Sequence, residues 1–102
     1  MKLNFNREKI GQFCREHRIS RLELFGSAVG ENFQAESDVD LLATMQSNAK
    51  PTLLDWAEMQ EQLAEMFGRP VDLVSRRAIE RSRNRYRKNS ILSTATPLYA
   101  EG

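Results

Sequence analysis

Residues 24–43 read LFGSAVGENFQAESDVDLLA and contain the most informative pattern in the chain. Apolar residues lead into Gly26-Ser27, ten residues follow, and Asp38 and Asp40 then open a second apolar run. Residues two apart in a strand point to the same face of a sheet, so these aspartates would present two carboxylates side by side. Because like charges repel, two carboxylates that both stay ionised need a cation between them. Mg²⁺ suits such a site, since one or two carboxylates together with substrate phosphates are its usual ligands.

A third carboxylate is expected at the same site. Asp72 interrupts the apolar run Val71 to Ser75, where a charged residue is out of place in a buried strand. Leu53 to Phe67 is the clearest helix pattern, and Gly68 followed by Pro70 ends it. This helix is long enough for a right-handed crossover between two parallel strands. The strands 38–45 and 71–75 would then carry their aspartates at one edge of the sheet. The apolar stripe predicted for the helix comprises Leu53, Trp56, Ala57, Leu63, Ala64 and Phe67.

Gly26-Ser27 is the candidate phosphate-binding turn. Glycine lets the backbone approach a ligand closely, the amides of the following turn favour an anion, and Ser27 can donate its hydroxyl. To reach the aspartates, the strand Arg21 to Phe25 must run antiparallel to the strand that follows it. The sequence therefore predicts an α/β (α+β) fold with a small mixed sheet, its first strand antiparallel and its second and third parallel, flanked by helices. Two metal ions roughly 3.5–4 Å apart would stabilise the attacking and leaving oxygens of an in-line displacement at a bound triphosphate.

The remaining chain fits one domain over residues 1–102. A helix is predicted over residues 7–18 with Asn6 as its cap. A basic helical segment is predicted over 76–98 and is broken at Pro97. The last residues would add an edge strand or a frayed tail.

The composition of the chain limits where in the cell the protein is expected. No apolar run approaches the roughly 20 residues that span a bilayer, and the N-terminus lacks the pattern of a secretory signal. One cysteine, Cys14, excludes an internal disulfide. We therefore expect a cytoplasmic protein without a membrane segment.

The net charge of +1 is unevenly distributed. Residues 76–88 hold seven basic side chains and one acid, a charge of +6, which leaves −5 for the rest. This segment is a solvated surface, a partner-binding surface or a nucleic-acid contact. Direct nucleic-acid binding is disfavoured, because Tyr86 alone offers little for base stacking and no helix-turn-helix or zinc motif is visible.

The motifs at 24–43 and 70–74 (PVDLV) resemble those of the DNA polymerase beta-like nucleotidyltransferase superfamily. Within it the chain is similar to the minimal nucleotidyltransferase (MNT) antitoxins, from about Arg21 to Tyr99. The resemblance implies that Asp38 and Asp40 bind metal, that Asp72 completes the metal site and helps to activate the nucleophile, and that Gly26 and Ser27 hold phosphates.

The resemblance also implies a function. MNT antitoxins are paired with a HEPN-domain ribonuclease toxin, and the expected reaction is a Mg²⁺-dependent transfer of AMP from ATP to a tyrosine of that toxin, which silences it. A hetero-oligomer with the toxin is expected. The preference for ATP follows from the resemblance only.

One departure from the family pattern concerns the phosphate site. Many relatives carry Arg-Gly where this chain has Gly30-Glu31, and Arg76 or Arg77, just past the third strand, would be candidates to compensate. Two alternative functions therefore stay open. One is an antitoxin that masks the toxin by binding alone, and the other is a nucleotidyltransferase for a small molecule or an RNA end.

Overall fold

The structure, a computed structural model, describes residues 6–25 and 39–101. Its four strands are β1 (Ile19–Phe25), β2 (Val39–Met45), β3 (Val71–Ser75) and β4 (Thr96–Ala100), arranged in the order β3-β2-β1-β4. β1 runs antiparallel to β2, and β2 runs parallel to β3, which confirms the predicted mixed sheet. The strand β4 pairs antiparallel with β1, so residues 96–100 form an edge strand rather than a frayed tail.

The described residues also form four helices: α1 (Arg7–Glu16), α2 (Leu53–Phe67), α3 (Arg76–Glu80) and α4 (Arg85–Thr94). Asn6 caps α1 as predicted, because its side chain accepts hydrogen bonds from the amides of Glu8 and Lys9. Thr52 and Asp55 form a capping box at the N-terminus of α2. Gly68 ends this helix with a φ of 70°, a conformation that glycine adopts at low cost. None of the helices in the described part of the chain has both the length and the apolarity to cross a bilayer.

Within the segment 76–98, which was predicted to be helical, the structure has two helices, and the prediction is wrong at the C-terminal end. A turn separates α3 from α4, because Asn84 caps a new helix through the amide of Arg87. The last residues of the predicted segment, 96–98, belong to β4. Pro97 cannot donate a backbone hydrogen bond, which suits an edge strand better than a helix.

The helices cover the two faces of the sheet in pairs. Leu41 and Ala43 of β2 face the larger core, which α1 and α2 close with Ile10, Phe13, Cys14, Met59, Leu63 and Phe67. Leu42 faces a smaller core on the other side with Phe25, Ile79 and Ile91, which come from β1, α3 and α4. Because strand side chains alternate, Asp40 shares the face of Leu42 and therefore lies on the α4 side.

The helix α2 has the predicted bounds but not the predicted stripe. Met59 is buried in it, whereas Leu53 is 89% exposed and Ala57 is exposed as well. The Gln60 side chain accepts a hydrogen bond of 2.9 Å from the amide of Leu73 in β3. This bond ties α2 to the outer edge of the sheet.

Candidate active site

The structure brings two of the three predicted aspartates together. Asp40 of β2 and Asp72 of β3 are direct partners in the parallel ladder. Neighbouring strands lie about 4.8 Å apart, so the two carboxylates occupy adjacent positions on one face of the sheet. Phe25, the last residue of β1, is the partner of Asp40 on its other side. Asp40 is half-buried and Asp72 is exposed, so the pair can be reached from solvent.

The other predicted site residues, Gly26, Ser27 and Asp38, lie outside the described residues, as do Gly30 and Glu31. Phe25 and Val39, the described residues on either side of this segment, lie at the same end of the strands as Asp40 and Asp72.

A cavity of about 540 Å³ lies over the aspartate pair. The sheet supplies one wall with Phe25, Asp40 and Asp72, and α4 supplies the opposite wall. The helix residues that line the cavity are Tyr86, Arg87, Ser90, Ile91 and Thr94. Their spacing of three to four residues is that of one helix face. Acidic and cationic groups thus face each other across a space open to solvent.

The α4 wall was not identified from the sequence. Arg87 is one of seven basic residues between 76 and 88, and the charge pattern does not distinguish it from the other six. The available signal was the buried Ile91, four residues after Arg87, which places both on the face that packs against the sheet.

The structure contradicts the suggestion that Arg76 compensates at the phosphate site. Arg76 Nη1 lies 2.6 Å from Glu23 Oε1, and Glu23 is only 2% exposed. A second contact of 3.6 Å joins Arg76 to Glu80. Arg76 also follows the C-terminal end of β3, whereas Asp72 lies near its start. Its charge therefore serves the buried Glu23 and not the aspartate pair.

The donor set of the cavity fits a hard cation. Within residues 6–25 and 39–101, no cluster of three or more metal-binding side chains occurs, so Asp40 and Asp72 form a pair of carboxylate donors. Mg²⁺ is commonly bound by one or two carboxylates and completes its shell with water and substrate phosphates. The pair thus matches what such an ion requires from a protein.

A second cavity, of about 220 Å³, lies at the start of α2 and contains none of the predicted site residues. His17 lines it, hydrogen-bonded to Gln62 at 3.2 Å, with its ring centroid 4.3 Å from that of Phe13. These contacts hold the His17 ring against the core and Gln62.

Similar solved structures share the fold. One is a chain of a toxin–antitoxin complex with AMP-PNP, at a TM-score of 0.71 and 22% identity over 93% of this chain and 73% of that one. Another belongs to a complex of the tri-AMPylated Shewanella oneidensis HEPN toxin with its MNT antitoxin. Its TM-score is 0.62, and it is 20% identical over 92% of this chain and 69% of that one. A third, a minimal nucleotidyltransferase, has a TM-score of 0.68 and 32% identity over 89% and 87%.

Sequence comparison gives the same relationship. A Methanocaldococcus jannaschii protein named as a protein adenylyltransferase is 30% identical over 76 residues, which cover 74% of this chain and 73% of the relative. A second protein of that organism, named likewise, is 28% identical over 79 residues, or 78% and 83% of the two chains. Residues 7–96 match the family described as the nucleotidyltransferase domain. That match spans both strands of the aspartate pair and the α4 wall, and the chain therefore belongs to the nucleotidyltransferase domain family.

Proposed function

We propose that this protein is an antitoxin that transfers AMP from ATP to a tyrosine of a partner HEPN-domain toxin and thereby neutralises it. The observation that carries the proposal is the adjacent placement of Asp40 and Asp72 on the wall of an open cavity, in a chain of the nucleotidyltransferase domain family. In the reaction, the tyrosine oxygen forms a bond to the α-phosphorus of ATP. The bond from that phosphorus to the bridging oxygen breaks, and pyrophosphate leaves.

Each residue has a role in this proposal. Asp38, Asp40 and Asp72 hold Mg²⁺, with two ions expected, and Gly26 and Ser27 hold phosphates. The bound metal would neutralise charge on the phosphates. Asp72, the more exposed of the described pair, also accepts the proton of the attacking tyrosine hydroxyl, which then passes to solvent.

The identity of the acceptor rests on relatives and on access. The M. jannaschii relatives are named for transfer to protein, and one similar structure contains an AMPylated HEPN toxin beside its MNT antitoxin. Asp72 is exposed and Tyr86 is 88% exposed, so a side chain carried by another protein can approach the cavity. Because the reaction consumes ATP, we place it in the cytoplasm.

Intact mass spectrometry of a co-expressed HEPN toxin tests the proposal. The toxin should gain mass in steps of one AMP with the wild type and with Glu61→Gln, a charge-removing control on the exposed side of α2. It should gain none with the double variant Asp40→Asn, Asp72→Asn. An unmodified toxin in the presence of the wild type would refute the transfer.

One observation favours masking as the alternative function. Leu53 and Leu54 are 89% and 76% exposed in the first turn of α2, a helix on the opposite face of the sheet from the cavity. A partner could bind this apolar surface whether or not the aspartates act. A double aspartate variant that neutralises the toxin as well as the wild type, with no mass gain in either case, would establish masking.

A further inference from the structure

Arg87 is the positively charged member of the cavity lining. Among the described residues around the cavity, it alone carries a permanent positive charge. Its guanidinium group makes no ion pair and no hydrogen bond within the described residues, and only its backbone amide is bonded, to Asn84. Arg76 is different, since both of its ion-pair contacts hold it within the fold. Arg87 thus carries a charge that has no partner in the described part of the chain, and it lies opposite two carboxylates.

The position of Arg87 is set by packing around it. Ile91 lies one helical turn further along α4 and is buried against Phe25 and Leu42 of the sheet. Residues four apart lie on one face of a helix, so the burial of Ile91 turns Arg87 toward the sheet. Asn84 fixes the start of the same helix. The guanidinium is therefore presented at the cavity by a capped and anchored helix.

The charges of the two walls favour an anion between them. Carboxylates alone repel phosphate, so the sheet wall can receive it only through a cation. The helix wall can contact phosphate oxygens directly, because a guanidinium group donates two parallel hydrogen bonds to them. We infer that Arg87 binds the phosphate chain of the nucleotide, from the side of the cavity opposite Asp40 and Asp72. This inference rests on the proposed function, since it takes the ligand of the cavity to be a nucleoside triphosphate.

Measurements of nucleotide affinity test this role. We would titrate the full chain with ATP in the presence of Mg²⁺, and separately with adenosine, by calorimetry. Arg87→Gln should weaken ATP binding about tenfold or more, because a hydrogen-bonded charge pair is lost. Adenosine affinity should stay unchanged, and Arg87→Lys should restore part of the loss. Arg85→Gln removes the same charge from the same helix outside the cavity and should bind ATP like the wild type.

Three results would overturn the inference. Equal losses of ATP and adenosine affinity in Arg87→Gln would indicate a structural role for Arg87. Equal losses of ATP affinity in Arg85→Gln and Arg87→Gln would indicate that the electrostatic field of the basic helix acts, and not a direct contact. An unchanged ATP affinity in Arg87→Gln would show that Arg87 does not contact the phosphates. If Arg87→Gln leaves ATP affinity unchanged while the wild type still modifies the toxin, only this inference fails. If ATP binding depends on Arg87 but no toxin gains AMP, the inference stands and the proposed acceptor fails.

Discussion

Asp72 and Asp40 are neighbours in the ladder, but their surroundings differ. Asp40 is half-buried between Phe25 and Asp72, whereas Asp72 belongs to the edge strand β3 and is exposed. In the proposed reaction, the more exposed carboxylate would be the better placed acceptor for the proton of the incoming hydroxyl group. The pair can therefore divide the work of binding and proton transfer.

Replacing Asp72 should separate these two steps. Asp72→Asn keeps the size of the side chain but cannot accept the proton, so we expect the single-turnover rate of AMP transfer to fall about 100-fold or more. ATP affinity should fall much less, since Asp40 is retained. Rapid-quench kinetics together with ATP titration measure both quantities, and a parallel loss of rate and affinity would contradict the assigned role.

Cys14 should be chemically inert in the folded protein. It is fully buried, and this burial raises the pKa of the thiol from 9.0 to about 12, an effect that the nearby Arg15 partly opposes. The thiolate is the reactive form, so iodoacetamide at pH 8 should label the urea-unfolded chain and not the native one. The same pKa shift stabilises the fold fully below pH 9, and this contribution is lost as the pH rises toward 12. Rapid labelling of native protein, followed by mass spectrometry, would show that α1 opens easily.

Individual residues differ in how far the sequence could place them. The convergence of Asp40 and Asp72 follows from strand alternation and one crossover helix, both of which are local patterns. Arg87 could not be distinguished from its basic neighbours, because only the packing of α4 against the sheet separates it from them. It supplies a positive charge in a chain that has Gly30 where many relatives carry arginine. Arg76 was misplaced because its partner, Glu23, is 53 residues away in sequence.

At the level of elements, one ion pair joins β1 to α3. Glu23 is buried in β1, and its close contact is Arg76 at 2.6 Å, while Arg21 lies further away at 3.7 Å. A buried carboxylate that loses its partner keeps its desolvation cost without compensation. The pair therefore ties the first residue of α3 to β1.

Arg76→Ala should destabilise the protein by about 3 kcal/mol, because it leaves Glu23 buried with a weaker partner. Arg77→Ala, which removes an exposed arginine from the same helix, should change stability by less than about 0.5 kcal/mol. The double variant Glu23→Leu, Arg76→Leu should recover much of the loss. Urea denaturation measures all three, and equal effects of the two single variants would exclude a structural role for this ion pair.

The elements were predicted well where local signals are strong. The bounds of α2 and β3 follow from the cap at Gly68 and from an apolar run, and both agree with the structure. The apolar stripe predicted for α2 differs from the buried face, because Leu53 is apolar like a core residue but is exposed to solvent. Periodicity in the sequence shows that a helix has an apolar face. Which of its residues are buried also depends on where the sheet lies relative to the helix.

At the scale of the whole molecule, the helix α2 differs in charge from the helices α3 and α4 on the other face of the sheet. The seven basic residues of 76–88 lie on or between α3 and α4, on the side of the cavity. α2, on the other side, carries four acidic residues (Asp55, Glu58, Glu61 and Glu65) and no basic one. Such a distribution draws a polyanion such as ATP toward the cavity side.

In the strand order of the sheet, β4 pairs with the outer side of β1 and protects it from other strands. Removal of residues 96–102 would uncover β1, seven residues long, and should cause concentration-dependent association by edge pairing. The double variant Leu98→Ser, Tyr99→Ser keeps the strand but removes its contacts with the core, so it should lose stability without associating. Light scattering over a concentration series compares the two, and a monomeric truncated chain would contradict the role of β4 as a cover.

The hydrogen bond between the Gln60 side chain and the Leu73 amide has a consequence for assembly. A foreign strand that added to β3 would have to take this amide from Gln60, and leaving the displaced side chain unpaired would cost about 1–3 kcal/mol. Recruitment by strand addition is therefore discouraged beside Asp72. In the proposed function, a partner that brings its tyrosine to this side would meet side chains rather than unpaired backbone groups, and it could dissociate without removing a strand from the sheet.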